Sequence, residues 1–190
     1  VALVASGLAA SRITFSPSAT EHLPIDEEPV RFWVESSERF GAFATLIVGL
    51  EEPGAPLTSD GLRRLQRITG RLVELKSDGV VWVRSIANLD SMSEGEDGAV
   101  NNTIFLSEIP EDEEGLTALA RRIEADQQVP GAFVSRDQRA YAIMLALDPQ
   151  ADAAAAARRI QQVVDEERGS LAAYYFGAPF FTASVGQQVG

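Results

Sequence analysis

The sequence predicts an α+β domain: a four-stranded antiparallel sheet with two helices on one face, plus an inserted helix and hairpin arm. Three observations predict it. Apolar residues alternate through 43–50, the pattern of a core strand, and occupy both faces of 139–147, the pattern of a strand at the centre of its sheet. Leu62, Leu65, Ile68, Leu72 and Leu75 recur at helical spacing, as do Ile160, Val163 and Val164 after an alanine run. With 90–138 set aside, the order is strand 43–50, helix 60–75, strand 80–87, strand 139–147, helix 149–168, strand 171–176.

Taken in order, residues 1–10 carry no charge and are shorter than the ~20 a membrane-spanning helix needs. They fit either a buried strand or the exit end of a membrane helix. Residues 20–38 are polar and punctuated by proline, interrupted by Phe32-Trp33-Val34, which is expected to pack on the domain that follows. The first strand ends at Glu51-Glu52-Pro53-Gly54, and Thr58-Ser59-Asp60 offers caps to the first helix. Arg63, Arg64, Arg67 and Arg71 share the other side of that helix and read as a solvated face.

Ser77-Asp78-Gly79 closes the helix, and Val80-Val81-Trp82-Val83 opens the second strand. The acidic stretch 90–98 reads as a solvated loop; its acids do not follow the EF-hand spacing for calcium. Residues 103–106 fit a short strand or a helical turn. Glu111 to Glu114 place acids at the start of an inserted helix, whose apolar side is Leu116, Leu119, Ala120 and Ile123.

Phe133 and Val134 form one arm of a hairpin, and Arg136-Asp137-Gln138-Arg139 its turn. Asp148 is placed to cap a helix beginning at Pro149. Gly177-Ala-Pro179 turns the chain after the last strand, and 180–185 is expected to continue extended.

Composition narrows the function classes. With 45% hydrophobic residues, the chain can bury a real core. Twenty-eight acidic against 16 basic residues give a net charge of -12, which argues against nucleic acid and against charge-driven docking on an anionic membrane. The absence of cysteine excludes disulfides, thiolate metal sites and a Cys nucleophile. The single histidine, His22, has only Glu21 and Asp26 near it in sequence and reads as a loop residue. There is no glycine-rich phosphate loop and no serine elbow, so no catalytic residue, cofactor or metal is expected.

The βαββαβ order is the split βαβ of the ferredoxin-like fold. It resembles the extracytoplasmic porter domain of the resistance-nodulation-division (RND) superfamily of exporters, in the branch with hydrophobe/amphiphile and hopanoid-type lipid exporters. The matching pieces are Phe43-Ala-Thr-Leu-Ile-Val-Gly-Leu-Glu51, Leu57-Thr-Ser-Asp-Gly-Leu62, Val80-Val-Trp-Val-Arg-Ser-Ile86, Gly131-Ala-Phe-Val-Ser-Arg-Asp137 and Tyr175-Phe-Gly-Ala-Pro179. Their order and spacing carry the resemblance, over most of 1–181. Gln138 departs from it: the family hairpin usually has glycine there, and glutamine disfavours positive φ.

The resemblance implies an entry segment at 1–39 after a membrane helix, a porter domain at 40–181 with its insertion at 90–138, and an exit tail at 182–190. It implies a proton-driven exporter of hydrophobic or lipid-like substrates in the inner membrane, with this domain periplasmic. The partners implied are a second porter domain and membrane helices of the same exporter, with room for a homo-oligomer. Aromatics outside the helix cores, Trp33, Phe40, Tyr174, Phe176 and Phe180, are the candidate substrate-lining residues. The alternative is a stand-alone small-molecule sensor or assembly module on the same fold.

Overall fold

The computed structural model describes residues 44–54, 56–94 and 100–188, together with Glu28. The chain divides into two compact units, 1–42 and 43–190, and the fold below is that of the second. Expectations for residues 1–10, His22, Phe32-Trp33-Val34, Phe40 and 95–98 lie outside the described residues.

The elements are β1 (Ala44–Glu51), α1 (Ser59–Val73), a 3-10 turn (Leu75–Asp78), β2 (Val80–Arg84), β3 (Asp90–Glu94), β4 (Val100–Ile104), α2 (Glu113–Ala125), β5 (Ala140–Leu147), α3 (Ala153–Glu167), β6 (Ala172–Phe176) and α4 (Ala178–Gln188). The main sheet has the order β2-β5-β1-β6, every neighbouring pair antiparallel. This is the ferredoxin-like arrangement that the element order predicts.

The alternation in β1 and β5 explains the layers. Leu46, Val48, Leu50, Tyr141, Ile143 and Leu145 are buried on one face. Leu62, Leu65, Ile68 and Leu72 of α1 and Ile160 and Val163 of α3 meet them in one core. The other face carries half-buried Ile47 and Met144 and exposed Trp82, Tyr174 and Phe176.

Between β2 and β5 the chain adds a separate two-stranded ribbon, β3-β4, and α2. The ribbon corrects the solvated-loop reading of 90–94: its backbone pairs with β4 from Asp90↔Ile104 to Glu94↔Val100. Polar strands carry little periodic signal, so sequence alone does not reveal the pairing. Phe105 and Leu106 follow, both buried, with the Arg122 guanidinium 4.5 Å above the Phe105 ring.

The arm lies beside β5. The Ala142 N–H donates to Phe133 O and the Ser135 N–H to Ala140 O, both at 2.8 Å. Gln138 sits at the turn with φ +58°, in the left-handed region that residues other than glycine disfavour. Its side chain accounts for the tolerance: it is buried and donates to Ala120 O at 3.2 Å and to Glu124 Oε1 at 3.1 Å, tying the hairpin to α2.

Two expectations are corrected. The cap of α3 is Asp152, whose Oδ1 accepts from the Ala155 N–H at 2.9 Å. Asp148 instead accepts from the Gln150 N–H at 2.8 Å, a local turn one step earlier. The helix therefore starts at Ala153 rather than at Pro149. After β6, residues 178–188 form a helix, not an extended continuation. Gly177 turns at φ +131° within reach of Thr45 O, where an added Cβ would stand 3.1 Å away. Pro179 then falls in the first helical turn, where a missing N–H costs nothing.

Two measurements follow. Asp152→Ala lowers stability by ~1 kcal/mol through loss of the cap, read as a lower urea midpoint at constant slope. An unchanged midpoint removes that cap. Gln138→Ala keeps the positive φ and loses both side-chain bonds, so it destabilises by ~1–2 kcal/mol. Gln138→Gly relieves the backbone and falls between Ala and the native residue; a glycine variant less stable than the alanine one contradicts the account.

Candidate functional site

Two polar constructions hold the domain, and one aromatic corner is left exposed. The first construction is centred on Glu52, only 7% exposed at the end of β1. Its Oε1 accepts from the Thr58 hydroxyl at 2.6 Å and from the Tyr141 hydroxyl at 3.2 Å. Thr58 Oγ1 in turn accepts the Gly61 N–H at 2.9 Å, capping α1. Glycine at 61 leaves room for this arrangement, since a Cβ there would lie 1.7 Å from Glu52 Oε1 and displace the carboxylate from its two hydroxyls. Burial, and then the Glu52 charge, raise the Tyr141 hydroxyl well above the usual phenol range. A carboxylate this enclosed and this partnered is a structural pin, not an acid or base open to substrate.

The second construction corrects the reading of the arginine stripe as a merely solvated face. Arg67 reaches Glu167 at 3.2 Å, and Arg71 reaches Glu166 at 2.7 Å and Glu167 at 3.0 Å. Arg64 bonds Asp60 on its own helix at 2.7 Å and the Glu167 carbonyl at 3.3 Å. Arg63 pairs with Glu111, before α2. The stripe thus clips α1 to the C-terminal end of α3 and to the insertion. Hydrogen bonds from Arg71 hold the Glu166 and Glu167 carboxyls below their ordinary range.

The aromatic corner lies where β6 runs into α4. Phe176 is 73% exposed, Phe181 68% and Tyr174 58%. An open groove of about 740 Å³ runs along it, lined by Thr45, Gln161, Tyr175, Phe176, Phe180 and Phe181 among others. Gln161 comes from α3 and Thr45 from the start of β1, so four elements meet there. Phe180 is 4% exposed and packs on Tyr175, ring centroids 5.0 Å apart and tilted by 52°. Burial pushes the Tyr175 hydroxyl up to about 12.

The structure therefore brings Phe176 and Phe180 of the expected lining residues to one groove. Tyr174 is exposed on the open sheet face, its hydroxyl donating to Glu51 at 2.8 Å. Trp33 and Phe40 lie outside the described residues. Sequence reading missed Thr45, Gln161, Tyr175 and Phe181; Tyr175 and Phe181, aromatics next to named ones, carried a signal that could have found them, and Thr45 and Gln161 did not. Among the described residues no three His, Asp or Glu side chains gather as a metal site, and no helix is long and apolar enough to cross a membrane. The chain matches no model of a known protein family and no curated protein.

The Arg71 pairs set a pH dependence. A carboxyl whose pKa is lowered by folding stabilises the fold above its unfolded pKa, ~4.3 for Glu, and that contribution is lost as pH falls through the folded value. Arg71→Met should therefore melt below the native chain at pH 7, with the gap closing on acidification. Equal melting temperatures at pH 7 would show that the pairs add nothing.

Proposed function

We propose that this chain is the extracytoplasmic porter domain of a proton-driven RND-type exporter of hydrophobic or lipid-like substrates. The observation that carries the proposal is the exposed aromatic groove between β6, α3 and α4, at the end of the sheet where β1 begins and β6 ends. β1 and β6 are antiparallel neighbours, with Ile47 opposite Phe176. The first residues of β1 and the first residues after β6 are therefore side by side, and Gly177 lies against Thr45 and Leu46. A domain held between two membrane helices needs its ends together in this way.

In this reading Phe176, Phe180 and Phe181 contact substrate with their rings, and no residue performs covalent chemistry. The open groove offers half an enclosure, which a second porter domain of the same exporter would complete. Ion flux through membrane helices would drive the domain's movement. The isolated domain binds an apolar ligand weakly, because a half-open groove buries little of it.

The decisive observation is the hydropathy of the gene product on both sides of this stretch. An apolar span of ~20 residues is expected on each side. Their absence sinks the proposal, and tight one-to-one ligand binding by this chain alone would then favour a stand-alone sensor. Given the spans, Phe176→Ser in the full-length protein should lower export of a lipid-like dye by about threefold or more, the loss of one buried ring contact.

A further inference from the structure

We propose that the open face of the main sheet docks a second copy of this chain, through a two-fold contact in which Arg84 of each copy pairs with Glu51 of the other. The inference is independent of the exporter proposal and concerns the face of the sheet turned away from the helices.

The pleat decides what stands on that face. Leu46, Val48, Leu50, Ile143 and Leu145 point into the core. Ile47, Gly49 and Glu51 of β1 and Ala142 and Met144 of β5 therefore point the other way. Trp82 and Arg84 of β2 join them, opposite Ala146 and Met144. Tyr174 and Phe176 of β6 stand opposite Gly49 and Ile47. The rings of Trp82, Tyr174 and Phe176 are exposed together on this one surface. A sheet face encloses a small ligand poorly, whereas another protein can cover it whole.

The charges on the face identify the partner. Among the strand positions that point this way, only Arg84 and Glu51 are charged. Arg84 meets Asp90 loosely, at 3.6 Å. Glu51 accepts one bond, from the Tyr174 hydroxyl at 2.8 Å, which leaves its carboxylate room for a cation. A two-fold contact brings residue i against j and j against i, so one cation and one anion on a face serve each other across the axis. The register places that axis. Arg84 is level with Met144 and Glu51 with Ala140, and β5 runs between β2 and β1, so Ala142 is midway between the two charges. With strands about 4.8 Å apart and residues about 3.4 Å along each, the perpendicular through Ala142 in the sheet plane runs to Phe176. Folding one copy onto another about that line lays Phe176 on its own counterpart, Met144 on Gly49 and Tyr174 on Ile47. Both charge pairs close in the same arrangement. The four strands cover a flat footprint of about 400 Å² before the relief of their side chains, less than the ~800 Å² per partner of a standard interface. The net charge of -12 on each copy also opposes approach. The dimer is accordingly a weak one, with a Kd in the micromolar range.

The test is sedimentation velocity of the whole chain from about 5 to about 300 µM in about 0.15 M salt, where a concentration-dependent dimer is expected. Arg84→Glu and Glu51→Arg each set like charges together twice across the axis and should raise Kd about tenfold. The chain carrying both changes restores the pairs in reverse and should return to within about threefold of the native value. Thermal melting of each variant checks that the fold is intact. Ala142→Cys puts a single thiol on the axis of a cysteine-free chain, so a short bismaleimide should link two copies. Glu108→Cys, on the insertion, should stay unlinked under the same conditions. A monomer across the whole range, a dimer unaffected by Arg84→Glu, a double variant no tighter than the single ones, or equal linking at positions 142 and 108 overturns the inference. None of these results touches the exporter proposal, which falls only if the flanking membrane spans are missing.

Discussion

The fold depends on one buried carboxylate. Glu52 stands where β1 ends, and its Oε1 joins the N-terminus of α1, through Thr58, to the start of β5, through Tyr141. The backbone repeats the connection: the Glu52 N–H donates to Arg139 O at 2.8 Å and the Leu57 N–H to Gln138 O at 3.1 Å. Removing the carboxylate would leave two hydroxyls without their acceptor in an apolar setting, which costs more than a surface bond returns. Gly61 follows as a consequence, since any side chain there would displace the pin. The split βαβ connection is thereby fixed at its first corner, and the helix layer is set over the sheet.

The arginine clamp does for the far side of the helix layer what Glu52 does beneath it. Apolar packing between α1 and α3 is non-directional and would tolerate sliding. Arg67 and Arg71, one helical turn apart, both reach Glu167, and Arg71 spreads to Glu166 as well. Isolated exposed pairs add little, but a network sharing carboxylates fixes register. Gln138 plays the corresponding part for the insertion, holding the hairpin turn to α2 at the expense of a left-handed backbone.

How much of this was visible in the sequence follows from the range of each interaction. Strands β1 and β5 announce themselves because alternation is local and long, and α1 because five leucine and isoleucine positions repeat at helical spacing. The cap of α3 was misplaced because Asp148 and Asp152 both precede the alanine run, and only the backbone decides which accepts from a helical N–H. Helix α4 was missed because Gly177 and Pro179 signal both a turn and a helix start. The partners of Arg67 and Arg71 lie about a hundred positions away on another helix, beyond any local pattern. The aromatic corner was half visible: Phe176 and Phe180 are conspicuous residues, while Thr45 and Gln161 reach the groove only through the strand and helix packing.

That division of labour bears on function. The core under the helices is closed, and its polar pins are satisfied without any residue of the aromatic corner. Phe176 and Phe181 each leave most of a large ring in water, an arrangement that burial does not reward. Phe180 and Tyr175 supply the contrast. They belong to the same run of chain, yet they pack inward and form the floor on which the exposed rings stand. A rigid floor with exposed apolar walls can accept a ligand without reorganising the core beneath it. Because β1 and β6 are neighbours, that surface sits where β1 begins and where β6 turns into α4.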